Sequence, residues 1–110
     1  MAQIWDYRDD FDRDTDIVGY KIEATDGSIG KIDEATYEAG SSYVVVDTGP
    51  WILGRKVLLP AGVITSIDHD DEVVWVSRTK DEIKAAPEFD EMQERSESFR
   101  APFGDYYRGL

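Results

Sequence analysis

Most of the residues in this chain that could do chemistry are carboxylates. Asp12, Asp14 and Asp16 occupy the first, third and fifth places of a calcium-loop frame, with Glu23 at the twelfth, a spacing that could wrap oxygen ligands round a hard cation. The frame fails at its sixth place, where Ile17 stands instead of the glycine that the sharp turn needs. A second frame opening at Asp68 has Val73 at the sixth place and Thr79 at the twelfth, so the bidentate glutamate is missing. Gly27-Ser28-Ile29-Gly30-Lys31 resembles half a phosphate loop, but Thr25 stands where its first glycine belongs and Ile32 where the magnesium-binding hydroxyl should follow the lysine. With no cysteine and His69 as the single histidine, thiolate zinc sites, cysteine nucleophiles and catalytic triads have no residues to be built from. His69 falls in a charged turn and reads as an ordinary exposed imidazole. No catalytic residue, metal site or cofactor site is assigned, and the chain is expected to be non-enzymatic.

Apolar residues in unusual places are the stronger signal. Pro50-Trp51-Ile52-Leu53-Gly54 sets three large apolar side chains in a row inside a loop bounded by proline and glycine. Loops run over the surface, so this triplet either caps its own core or forms a contact patch. Tryptophan is also enriched at binding hot spots. Towards the C-terminus Phe89, Met92 and Phe99 recur at offsets of three and seven, the spacing of one helix face. Trp51, Ile52, Leu53, Phe89, Met92 and Phe99 are therefore the candidate interaction surface.

The elements that must carry these residues are short strands. A strand near 17–24 meets the turn Thr25-Asp26-Gly27-Ser28, where Asp-Gly between apolar runs is a strong hairpin signal because glycine accepts positive φ. The next strand, about 29–38, has Ile29 and Ile32 three apart, a spacing that a flat strand cannot put on one face, so Gly30 marks a bulge. Tyr43-Val44-Val45-Val46 reads as a central strand buried on both faces. Lys56 to Pro60 should be a strand ended by its proline or lying at an edge. Two strands, 63–68 and 72–77, flank the turn His69-Asp70-Asp71. Thr79-Lys80-Asp81-Glu82 is a capping box that starts a helix, Pro87 ends or kinks it, and a second helical stretch is predicted over 88–99, with Pro102 and Gly104 opposing its continuation. The expected fold is mainly β: a small antiparallel barrel of about six strands with a C-terminal helical extension, divided as an acidic arm (1–16), the barrel (17–78) and a helical, aromatic tail (79–110).

At 110 residues the chain suits one small domain. Its formal charge of −12 is spread evenly, −4 in each of those three zones taken as 1–16, 17–80 and 81–110. That balance opposes phosphate backbones and anionic lipid, so no direct nucleic-acid contact is expected. No apolar stretch approaches the roughly twenty residues of a membrane span, and the N-terminus lacks a basic start and an apolar core, so a cytoplasmic protein or a processed mature domain is expected. Both flanks keep aromatics (Trp5, Tyr7 and Phe11; Phe99, Phe103, Tyr106 and Tyr107). Acidic segments that only solvate a chain do not need them, and these arms are read as docking on the chain's own barrel or on another subunit.

Together, Val18-Gly19-Tyr20-Lys21-Ile22, Asp26-Gly27-Ser28-Ile29-Gly30-Lys31-Ile32, the run Tyr43 to Val46 and Gly54-Arg55-Lys56-Val57-Leu58-Leu59-Pro60 resemble a PRC-barrel domain. That family is named for the cytoplasmic domain of the photosynthetic reaction-centre H subunit, and a related barrel forms part of a ribosome maturation factor. Thr79-Lys80-Asp81-Glu82-Ile83-Lys84 with Ala86-Pro87-Glu88-Phe89 is similar to the bacterial stand-alone branch, whose members are mostly uncharacterised and sometimes stress-associated. The resemblance covers about 16–90 and implies a compact barrel that binds another protein, with no cofactor; a photosynthetic electron-transfer role would come from the family name alone. The expected partner is a protein, with assembly into a homodimer or small homo-oligomer. The competing expectations are a small-ligand or metal-ion binding protein and a ribosome-associated factor acting through basic proteins.

Overall fold

Six strands and two helices account for most of the residues that the computed structural model describes, which are 4–7, 16–37, 40–49, 56–87, 89 and 101–109. The strands are β1 (Lys21–Ala24), β2 (Gly27–Ala35), β3 (Tyr43–Asp47), β4 (Lys56–Pro60), β5 (Ile64–Asp68) and β6 (Val73–Val76); the helices are α1 (Lys80–Lys84) and α2 (Ala101–Arg108). All six strands join one sheet in the order β4-β3-β2-β1-β6-β5.

The expectation of an all-antiparallel sheet is corrected. β1 and β6 pair in parallel, Lys21 opposite Val73 and Glu23 opposite Trp75, while every other ladder is antiparallel. The cause lies between β4 and β5. Counted through the ladders these two strands run in the same sense, because the 3-10 turn Ala61–Val63 carries the chain onward without reversing it. β4 and β5 are also the two ends of the strand order. Three residues reach about 10 Å at full extension, so a flat six-stranded sheet, with neighbours about 4.8 Å apart, could not be joined this way. The sheet is strongly curled and open, with no ladder between β4 and β5 among the described residues.

Bulges supply the bend. On β2, Ile29 is the extra residue against β1 and Asp33 the extra residue against β3; on β5 it is Thr65. Each bulge bends its strand and raises the local twist. The first explains how Ile29 and Ile32, three apart, are both buried. Gly30 lies between them at φ 140°, and a Cβ built there would fall 2.1 Å from the Asp47 carbonyl oxygen. No side chain fits that approach.

The concave side holds the main core, with Ile22, Ile29, Ile32, Val44, Val46, Leu59, Ile64 and Val74 among its members. Ile83 of α1 joins it. The capping box is formed as expected: Thr79 Oγ1 accepts from the Glu82 amide at 3.1 Å and Glu82 Oε1 accepts from the Thr79 amide at 2.8 Å. Pro60 is the last residue of β4, an end strand, where its missing donor breaks no ladder.

Gly30→Ala is expected to destabilise the fold by more than about 2 kcal/mol, against about 1 kcal/mol for Gly40→Ala, since Gly40 shares a positive φ but faces open space. Chemical denaturation of the two variants checks the difference.

Candidate interaction surface

The two convex halves of the sheet differ. Over β3 and β4, Tyr43, Val45 and Leu58 turn away from the main core into a second cluster with Trp5, Phe89 and Phe103. The run Tyr43 to Val46 is thus buried on both faces, as its composition implies. Segment 4–7 is laid along the sheet by backbone bonds, the Ser42 amide to the Trp5 carbonyl at 2.7 Å and the Gly62 amide to the Ile4 carbonyl at 2.7 Å. Trp5 meets Tyr43 edge to face, and Asp6 Oδ1 accepts from the Gly40 amide at 2.6 Å.

Helix α2 seals the same half. It occupies the stretch where Pro102 and Gly104 opposed a helix, and the reason is positional. Pro102 is the second helical residue, where no amide donor is required. Gly104 is the point at which the Trp5 indole crosses the helix: a Cβ there would come within 2.9 Å of Trp5 Nε1. At the far end Arg78 Nη2 donates to the Tyr107 carbonyl at 3.0 Å and the Tyr106 hydroxyl donates to the Glu82 carbonyl. Tyr107 is fully buried in the main core. The described arm aromatics, Trp5, Tyr7, Phe89, Phe103, Tyr106 and Tyr107, pack on the chain's own sheet, whereas Phe11 and Phe99 lie outside the described residues.

This places the predicted surface residues. Phe89 is buried in the second cluster, so its ring is a packing group and not an exposed contact. Trp51, Ile52, Leu53, Met92 and Phe99 lie outside the described residues, as does most of the helix predicted over 88–99.

The carboxylates do structural work. Asp68 Oδ1 accepts from the amides of Asp70 and Asp71 at 2.9 and 3.0 Å, closing the β5–β6 turn in which Glu72 takes φ 57°. Asp16 Oδ1 accepts from the Val18 amide and from the Tyr37 hydroxyl, 3.1 and 2.9 Å, while that hydroxyl accepts from the Ile17 amide at 3.1 Å. Among the described residues no three His, Asp or Glu side chains converge as metal ligands. His69 is less free than its turn suggested, because its Nδ1 shares a 3.0 Å hydrogen bond with the buried Tyr20 hydroxyl. A hollow of about 250 Å³ beside Gly30, Lys31, Asp47, Thr48 and Gly49 presents one lysine and one aspartate, which are cross-strand partners.

No family model matches the chain, and no curated protein matches it. Among the described residues no helix is long and apolar enough to cross a membrane.

Among the described residues the second cluster has no member on β1, β6 or β5, and that convex half is open. Trp75 projects from β6 and is 38% exposed, while the other described aromatics are buried or half-buried. Sequence reasoning did not single out Trp75, which sits in the apolar run Val73-Val74-Trp75-Val76 of the strand expected over 72–77. The legible signal was the period-two alternation of a strand with one wet face.

Two outcomes follow. Phe103→Ala is expected to cost about 3 kcal/mol in denaturant unfolding, with Trp5→Ala similar and the double variant less than additive, because the two rings share one cluster. Burial, aided by the neighbouring Asp16 carboxylate and opposed by the Ile17 amide, raises the Tyr37 hydroxyl above the ordinary tyrosine value. Folding therefore favours the protonated phenol, a contribution present in full below about pH 10 and lost as pH rises through the folded value. Tyr37→Phe should lower stability at neutral pH and flatten the alkaline decline measured by denaturation between pH 8 and 11.

Proposed function

We propose that this protein is a non-catalytic protein-binding module of the PRC-barrel type whose role is assembly, beginning with another copy of itself. The observation that carries this reading is the asymmetry of the convex surface. Trp5, Phe89 and Phe103 of the arms cover β3 and β4, while the face over β1, β6 and β5 carries an exposed tryptophan. An exposed tryptophan on a sheet face is a contact group, since burying it against a partner removes a large apolar area from water.

The barrel reading rests on the curl. A three-residue link between the two end strands, with bulges on β2 and β5, brings the sheet edges towards each other round one core. The order of motifs from Val18 to Pro60 agrees with the PRC-barrel resemblance. Asp68 is engaged in its turn and Asp16 in the Tyr37 contact, so these two carboxylates serve the fold.

Light scattering on a sizing column, with the full chain loaded from about 5 to 500 µM, tests the reading. A mass near twice 12.5 kDa at the upper end is expected; a mass of one chain throughout would overturn assembly as the role.

A further inference from the structure

The register of the open face says how two copies would meet. Two rows of side chains cross it. One runs Asp68 on β5, Val73 on β6, Lys21 on β1 and Lys31 on β2; the other runs Ser66, Trp75, Glu23 and Ser28. β6 is the middle strand of the first three in each row; Val73 has the Asp68 carboxylate on one side and the Lys21 ammonium on the other, and Trp75 lies between Ser66 and Glu23.

Lys21 is poorly provided for in a single chain. Its cross-strand neighbours are Val73 and a second lysine, Lys31, and like charges directly opposite in a sheet repel. It forms no ion pair among the described residues, unlike Lys56, which meets Asp33 at 2.9 Å. Lys31 has Asp47 as its other cross-strand neighbour. Across the ladder from Val73 lies the half-buried Asp68, one of whose oxygens closes the turn.

We propose that this face is an isologous interface for a second copy of the chain, with the two-fold axis running along β6. Rotation about that axis exchanges the β1 and β5 sides. Trp75 then meets Trp75 of the other copy, Val73 meets Val73, and Lys21 of each copy faces Asp68 of the other. The contact satisfies the requirement that one surface be complementary to itself. It also answers an electrostatic problem, because two chains of charge −12 repel at most orientations. Within the two rows the charged side chains, Lys21, Lys31, Glu23 and Asp68, sum to zero, and two ion pairs fix the register; the exposed carboxylates of the β5–β6 turn, Asp70, Asp71 and Glu72, lie beyond Val73. This inference rests on the assembly reading above and adds the surface, the symmetry and the pairs.

The experiment is charge exchange in the full chain, read by sedimentation equilibrium or light scattering. Lys21→Glu sets like charges against each other twice and should weaken dimerisation at least ten-fold; Asp68→Lys should do the same. An equimolar mixture of the two variants should recover the dimer, because each variant supplies the charge that the other now needs. That recovery also shows that Asp68→Lys is folded despite losing its turn bonds. Trp75→Ser should be monomeric with an unchanged circular dichroism spectrum. A wild-type dimer unaffected by these substitutions, or single variants that stay monomeric when mixed, would overturn this interface while leaving assembly by another surface standing. A wild-type chain that is monomeric throughout would overturn both.

Discussion

Three residues, Ala61–Val63, carry the chain from one end of the strand order to the other, and the architecture follows from how short that link is. Because β4 and β5 keep the same sense across it, the sheet has to roll until its two end strands approach. The parallel pairing of β1 with β6 is the return of the same path from the other side. Bulges at Ile29, Asp33 and Thr65 make the roll sterically accessible, and Gly30 lets one strand come close to the backbone of the next.

Rolling the sheet makes one protected interior and a long convex exterior, and a small domain has few residues with which to cover the latter. This chain uses its arms. Trp5, Phe89 and Phe103 shield Tyr43, Val45 and Leu58, and Gly104 lets the indole and the helix come into contact. The covered half is aromatic and aliphatic. The half over β1, β6 and β5 mixes an exposed tryptophan with charges of both signs, a composition compatible with water and with a partner in turn.

Local chemistry was the most legible part of the sequence. Asp-Gly located the first hairpin, Thr79 and Glu82 the helix cap, Pro60 a strand end, and the three-residue spacing of Ile29 and Ile32 a bulge. Strand directions were not legible, because an Ala-Gly-Val segment between apolar runs looks like a reversal, and only the ladders show that it continues. Helix α2 was misread for a related reason. Pro102 and Gly104 carry low helix propensity, and it is overridden by a first-turn position and by the indole that packs there. Phe89 was rightly singled out as unusual, but its partner is the chain's own sheet. The Trp75 face was invisible because its charged row is assembled from three strands that are distant in sequence.

The meeting of Trp5 with Gly104 also bears on biosynthesis. The layer that shields β3 and β4 is supplied by Trp5 and by Phe103 of α2, residues far apart in the sequence, so it cannot be completed before α2 has been synthesised. Until α2 emerges, the convex faces of two of the most apolar strands remain wet, a state in which nascent proteins attract chaperones or one another. Helix α2 acts as the closure of this layer, and the interval before it docks is one of exposure to misassembly.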